Sequence, residues 1–162
     1  MGVWDDINGG ADRKIPVNKK RKSKQRKIEK KISYEVAEFL VKKYPTVEFR
    51  FDIAADIRLT VGQSAISKEK LRHKRGYHDL TILEARGGYF GLLIELKKEV
   101  SDVYRLDGKL KKSFDKNTGT DHNVEQSEHL ASMRSKGYWA GYGFGLEHTL
   151  QIIDEYMNMP TT

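Results

Sequence analysis

The sequence contains no cysteine and only three prolines in 162 residues. Without cysteine there is no disulfide, no thiolate zinc site and no thiol nucleophile, so covalent staples and cysteine catalysis are excluded, and a reducing compartment suits the chain. No apolar run approaches the roughly 20 residues that cross a bilayer, and the amino terminus has no apolar signal segment. The expectation is a soluble, cytoplasmic protein that is not secreted and has no membrane partner. Negative charge is also in short supply: 23 Asp and Glu face 30 Lys and Arg, a formal charge of +7.

That excess is concentrated at one end. Between Arg13 and Lys31 only Glu29 opposes a run of lysines and arginines. A block of this kind repels itself, so residues 1–24 are expected to be a disordered basic tail and residues 25–162 a single domain. Lys19, Lys20, Arg21 and Lys22 are candidate phosphate contacts, because each cation meeting a phosphate releases condensed counterions and gives sequence-blind affinity. Nucleic acid is the implied polyanion; a solubilising arm or an anionic membrane contact is the alternative.

Along the rest of the chain, Ile28, Ile32, Val36, Phe39 and Leu40 recur at helical spacing, predicting a helix from about Gln25 that ends at Tyr44-Pro45. Thr46 to Ile53 alternates as a half-buried strand, with Asp52 and Asp56 on or just past its polar side. Lys70, Arg72, Lys74 and Arg75 suggest phosphate contacts from a loop or short helix, or a merely solvated loop. From 98 to 123 no pattern is visible. The stretch reads as a long polar loop, a mobile flap with Lys109, Lys111 and Lys112 placed to meet a DNA backbone. Val124 to Lys136 reads as a helix closed by Gly137, Tyr138 to Phe144 as an aromatic strand, and Leu146, Leu150, Ile153 and Met157 as the stripe of a last helix. The order gives an α/β fold, a mixed sheet flanked by helices.

Chemistry concentrates between Gly76 and Lys97. Two strands joined across Ala85-Arg86-Gly87-Gly88 read as a hairpin, with Leu92, Ile94 and Leu96 on one face of the second strand and Leu93, Glu95 and Lys97 on the other. Asp79, at the start of the first strand, can then face Glu95 and Lys97. Two carboxylates held together repel unless a cation lies between them, and Mg²⁺ (or Mn²⁺) is a hard ion that accepts one or two carboxylates. Lys97 would lie beside the attacking water or the phosphate. Solvated charges at strand ends are the plainer account of so short a pattern.

The ordered blocks Arg-Phe-Asp-Ile-Ala-Ala-Asp (50 to 56), Lys-Arg-Gly-Tyr-His-Asp-Leu (74 to 80), Gly-Leu-Leu-Ile-Glu-Leu-Lys (91 to 97), Glu-Gln (125 and 126) and Lys-Gly-Tyr (136 to 138) resemble the VRR-NUC family. This is the virus-type replication-repair nuclease branch of the PD-(D/E)XK superfamily, and the likeness is to its small phage-borne members, from about Glu29 to Tyr156. The resemblance implies a restriction-endonuclease-like core and a Mg²⁺- or Mn²⁺-dependent DNA endonuclease. Its substrate would be branched DNA, a four-way junction or flap, in phage replication, recombination or repair within the host cytoplasm, with the enzyme acting as a homodimer. It also implies that Asp79 and Glu95 hold the metal, that Glu29 assists directly or through water, and that Lys97 and Gln126 complete the catalytic set. Glu29 is selected by its distance ahead of Phe39-Leu40, with Glu35 as the fallback. Asn123-x-x-Gln126 also has capping-box spacing, which would give Gln126 a structural role instead. One departure stands out: His78 occupies the place of the family's usual proline, and is expected to be a neutral surface histidine or, alternatively, a further metal ligand or proton carrier. The rival functions are a catalytically inactive DNA-binding or assembly module and a hydrolase of small phosphate esters.

Overall fold

The computed structural model describes residues 19–52, 60, 77–115, 117, 119 and 121–161, with side chains of the first helix from residue 27 onward. The amino-terminal residues 1–18 and the basic stretch holding Lys70, Arg72, Lys74 and Arg75 lie outside the described residues, as does Asp56.

The first helix, α1, runs Lys19–Lys43, so it starts ahead of the Gln25 expected from apolar spacing and takes in the last part of the basic block. Lysine, arginine and glutamine are good helix formers, and a helix continued outward needs no apolar partner for its first turns. Ile32, Val36 and Leu40 form its buried stripe, with Ile28 and Phe39 packed at the margin. Tyr44 N–H closes the last turn on Leu40 O at 2.8 Å, and Pro45 follows.

Among the described residues four strands form one sheet in the order β1-β2-β3-β4: Phe49–Phe51, Leu80–Ile82, Leu92–Lys97 and Trp139–Phe144. β1 and β2 are antiparallel, as are β2 and β3, in which Leu80 faces Ile94 and Ile82 faces Leu92. The hairpin between them turns at Arg86–Tyr89, where Gly87 and Gly88 have φ of 59° and 85°. Two successive positive φ angles match the right-handed twist of the strands, and glycine takes them without strain.

β4 runs parallel to β3, with Glu95 beside Tyr142 and Lys97 beside Phe144. A parallel neighbour requires a long crossover, and here it is residues 98–138. The stretch from 98 to 123 is not patternless. It contains single 3-10 turns at Val100–Asp102 and Lys112–Phe114 and a bridge between Tyr104 and Leu110. Val103 and Phe114 anchor it in the interior. Only these two of its apolar residues are buried among the described ones, too few and too far apart for any periodicity to reveal. The second helix, α2, begins at Asp121 rather than Val124 and runs to Ser135. Gly137 terminates it with φ of 87°, as expected. The last helix, α3, is Gly145–Met157.

The result is three layers. One face of the sheet (Leu80, Ile82, Leu92, Ile94, Leu96) packs on α1 and on Ile152, Ile153, Tyr156 and Met157 of α3. The other carries Leu93 and Ala140 under Leu130, with Met133 alongside. Residues Leu92 through Leu96 are therefore buried on both faces, and the polar members of β3 lie on the α2 side. This is the mixed α/β architecture expected of the sequence.

Candidate functional site

Strand alternation and one helical turn assemble the centre of the site. Leu130 packs on Leu93. Gln126 precedes Leu130 by one turn, about 6 Å along the helix, and Glu95 follows Leu93 by two residues, about 6.6 Å along the strand. The matched steps set Gln126 over Glu95. Gln126 Nε2 donates to Glu95 Oε1, and Lys97 Nζ donates both to Glu95 Oε1 and to Gln126 Oε1, each at 2.9 Å. Glu95 and Gln126 are buried. The capping-box alternative for Gln126 falls away, because α2 already begins at Asp121 and Asn123 lies inside it.

Asp79 enters where the β2–β3 ladder stops. Its N–H donates to Ile94 O at 3.0 Å, its carbonyl accepts Asp52 N–H at 2.8 Å, and its carboxylate Oδ2 accepts Leu96 N–H at 2.7 Å. A side chain thus replaces the backbone as the next partner of β3. That bond holds the Asp79 carboxylate beside Glu95.

The electrostatics follow from burial. The Glu95 carboxyl is pushed up to about 8, first by desolvation, then by the Asp79 charge and more weakly by Glu29, against the opposing pull of Lys97. Asp79 is raised as well, by burial and by Asp52, although Leu96 N–H and Lys97 oppose it. The second Glu95 oxygen, Oε2, is buried with no hydrogen-bond partner among the described residues. Glu29 is therefore near enough for its charge to act on Glu95. Glu35, the fallback, pairs instead with Lys31 along the outside of α1 at 3.6 Å.

Among the described residues no three His, Cys, Asp or Glu form a ready metal cage. The donor set nonetheless fits a hard divalent cation. Such an ion takes one or two carboxylates and completes its shell with water and substrate oxygens, and here the buried Glu95 and the half-buried Asp79 repel each other beside an unpartnered Glu95 oxygen.

His78 is not a surface residue. It is 2% exposed, with Nδ1 3.0 Å from His129 Nε2 and Nε2 2.6 Å from Thr81 Oγ1. Tyr77 stacks on its ring at 4.3 Å. Burial and His129 hold its pKa down to about 4, so it is neutral, as expected, but for an interior reason. It ties the start of β2 to α2, a link that proline, with no side-chain donor or acceptor, could not make.

Sequence reasoning passed over three neighbours. Asp52, which the sequence places only on the polar side of the first strand, acts by its charge on both Asp79 and His78. His129 lies three residues beyond Gln126 and was findable only by that helical spacing. Tyr142, beside Glu95 in the sheet, has its hydroxyl buried near Ser127 without a hydrogen bond of ordinary geometry; burial and Glu95 push it up to about 12.

Of the expected phosphate contacts, Lys111 is half-buried and Lys112 exposed, both at the second 3-10 turn of the crossover. Lys19, Lys20, Arg21 and Lys22 fall in the first turns of α1, their side chains outside what is described. Among the described residues no helix is long and apolar enough to cross a membrane.

No family model and no curated protein matches the sequence. The fold is similar to that of a solved structure described as a VRR_NUC domain protein. The identity is 20% over 82% of this chain and 90% of that one, and the TM-score is 0.57. At that identity the likeness establishes the fold, which is the one the resemblance in the sequence implied.

Proposed function

We propose that the chain is a divalent-metal-dependent deoxyribonuclease, with Asp79 and Glu95 as metal ligands, Glu29 assisting, and branched DNA as the substrate. One observation carries the reading: a lysine, a glutamine and a buried glutamate with an oxygen unpartnered among the described residues close on one another beside a second, half-buried carboxylate. The likeness in fold to a VRR_NUC domain protein supports it.

Bound between Asp79 and Glu95, Mg²⁺ or Mn²⁺ would neutralise their repulsion and act as a Lewis acid toward the phosphodiester. The remaining work falls to this chain's own groups. Lys97 has three N–H donors, of which two go to Glu95 and Gln126. The third is left to hold the attacking water in line with phosphorus or to meet the negative charge that grows on the phosphate oxygens. Gln126 fixes the lysine's position by accepting from it while donating to Glu95. Glu95 and Gln126 are buried and the Lys97 side chain largely so, so each hydrogen bond acts in a medium where charge is poorly screened. Cations at Lys111 and Lys112, and those of the amino-terminal block, would hold the DNA backbone. Catalysis on branched DNA by two symmetric sites would suit a homodimer.

The test is a cleavage panel on labelled linear, flapped and four-way DNA in Mg²⁺ and in Mn²⁺, with wild type, Glu95→Ala and Lys97→Ala. Wild type should cut, and both variants should bind DNA while cutting at least about 10²-fold more slowly. A wild type inert on every substrate that still binds DNA would replace this reading with that of a DNA-binding module. Turnover of small phosphate esters without DNA cleavage would replace it with an esterase.

A further inference from the structure

The crossover between β3 and β4 carries a feature that the chemistry above does not use. Tyr104 and Leu110 pair as a miniature hairpin, closed by Arg105 N–H to Lys109 O at 2.8 Å and Gly108 N–H to Arg105 O at 3.0 Å. Gly108 has φ of 75°, the left-handed residue that such three-residue loops require. Asp107 braces the tip from within: Oδ1 accepts Lys109 N–H at 3.1 Å, and Oδ2 pairs with Arg105 Nη2 at 3.2 Å. At the apex Leu106 has a relative exposure of 110%, the highest of any large apolar side chain among the described residues.

The base of this hairpin is anchored close to the candidate site. Val103 beneath it is fully buried and accepts Lys111 N–H at 2.9 Å. Tyr104 sets its ring edge-on to Phe144, 6.0 Å between centroids, and Phe144 is the residue of β4 beside Lys97. A braced turn thus stands at the Lys97 end of the sheet with a leucine at its tip and Arg105 and Lys109 on either side.

An exposed leucine on a surface is ordinary. Two things make this one different. It is held forward by a turn whose backbone and side-chain bonds are already made, so little further order is lost when it meets a partner. Arg105 and Lys109 stand beside it, and although Arg105 shares its charge with Asp107 within the turn, the tip keeps a net positive charge through Lys109. An apolar tip between cations matches a base step between two phosphates: side chains of this kind enter a duplex where stacking is already weak, and cations beside them hold the backbone.

We propose that Leu106 is a wedge that enters the base stack at a branch point of the DNA, making the tip a specificity element for distorted over regular duplex. This inference rests on the DNA-cleavage reading, and its test separates the two. The full chain and its Leu106→Ala and Leu106→Ser variants are titrated into four-way DNA carrying 2-aminopurine at the branch, and into linear duplex carrying it internally. Ca²⁺ replaces Mg²⁺ so that binding is read without cleavage. Wild type should raise the fluorescence at the branch and leave the linear duplex unchanged, and both variants should lose most of that rise. In Mg²⁺, cleavage of four-way DNA by the variants should fall about tenfold, the order expected when the apolar surface of one leucine no longer covers the unstacked bases, while cleavage of unbranched DNA stays the same. All three proteins should melt at one temperature.

Wild-type fluorescence and branched-DNA cleavage in the leucine variants would overturn the wedge and leave the nuclease reading standing. A wild type that cuts no DNA yet gives the leucine-dependent fluorescence would overturn the nuclease reading and leave the wedge. A wild type that neither binds nor cuts would overturn both. If sedimentation shows the variants losing a dimer while branch fluorescence is unaltered, the tip is a self-contact and the wedge is wrong.

Discussion

Glu95 gives the sharpest test of the site because its behaviour in the absence of metal can be worked out from its surroundings. Its carboxyl rises from 4.5 to about 8 in the folded protein, chiefly through burial and the nearby Asp79. An acid whose folded pKa is raised favours the folded state while it is protonated; that contribution is complete below the unfolded value and is lost as pH climbs through the folded one. Between pH 7 and 9 the unfolded chain has long since lost this proton, whereas the folded protein loses it within the window. With a folded pKa near 8 the loss across the window is on the order of 1 kcal/mol, equivalent to about 2–4 °C in Tm for a chain of this size. His78 contributes nothing there. Its folded value is depressed to about 4, so its effect is confined to pH below about 6.5. The assay is thermal unfolding in EDTA at pH 7 and pH 9 for wild type and Glu95→Gln. Wild type should lose those degrees, and the glutamine variant, which cannot ionise, should lose far fewer. Mg²⁺ prefers the ionised carboxylate, so it should raise the wild-type Tm more at pH 9 than at pH 7 and leave Glu95→Gln almost unmoved. Identical pH dependence of the two proteins in EDTA would refute both the burial argument and the charge repulsion from which the metal site is inferred.

Lys97→Ala should lower Mg²⁺-dependent DNA cleavage by about 10²–10³-fold, the range for loss of one donor to a developing anion, with a DNA dissociation constant close to that of wild type by fluorescence anisotropy. Gln126→Ala leaves Glu95 Oε1 and Lys97 each short of a partner, and should cost about 1–3 kcal/mol in urea unfolding besides reducing turnover. His78→Ala strips the hydrogen bonds to His129 and Thr81 from a buried position; hydrogen exchange should quicken at the start of β2 and along α2 while α3 stays protected. Tyr156→Phe removes the 2.6 Å bond to Glu84 O that ties α3 to the hairpin, and should lower stability by about 1 kcal/mol with no change in cleavage.

Much of this protein was written locally. The alternation of residues 92 to 97 sorted Leu92, Ile94 and Leu96 from Glu95 and Lys97 because side chains on a strand must alternate. Paired glycines at 87 and 88 required the reversal, and the stripe Ile32, Val36, Leu40 required the face that α1 buries. Cysteine's absence settled what the site could not be. Tertiary structure decided whatever depends on groups distant in the chain. That Glu29 rather than Glu35 acts on Glu95, that His78 is interior and bonded to His129, and that Asp52 adds its charge to Asp79 are all matters of through-space distance. The parallel pairing of β3 with β4 and the packing of Leu130 on Leu93 bring Gln126 over Glu95. Periodicity shows which face of an element is apolar, but not which other element covers it, and Coulomb energy depends on the separation of charges in space rather than along the chain.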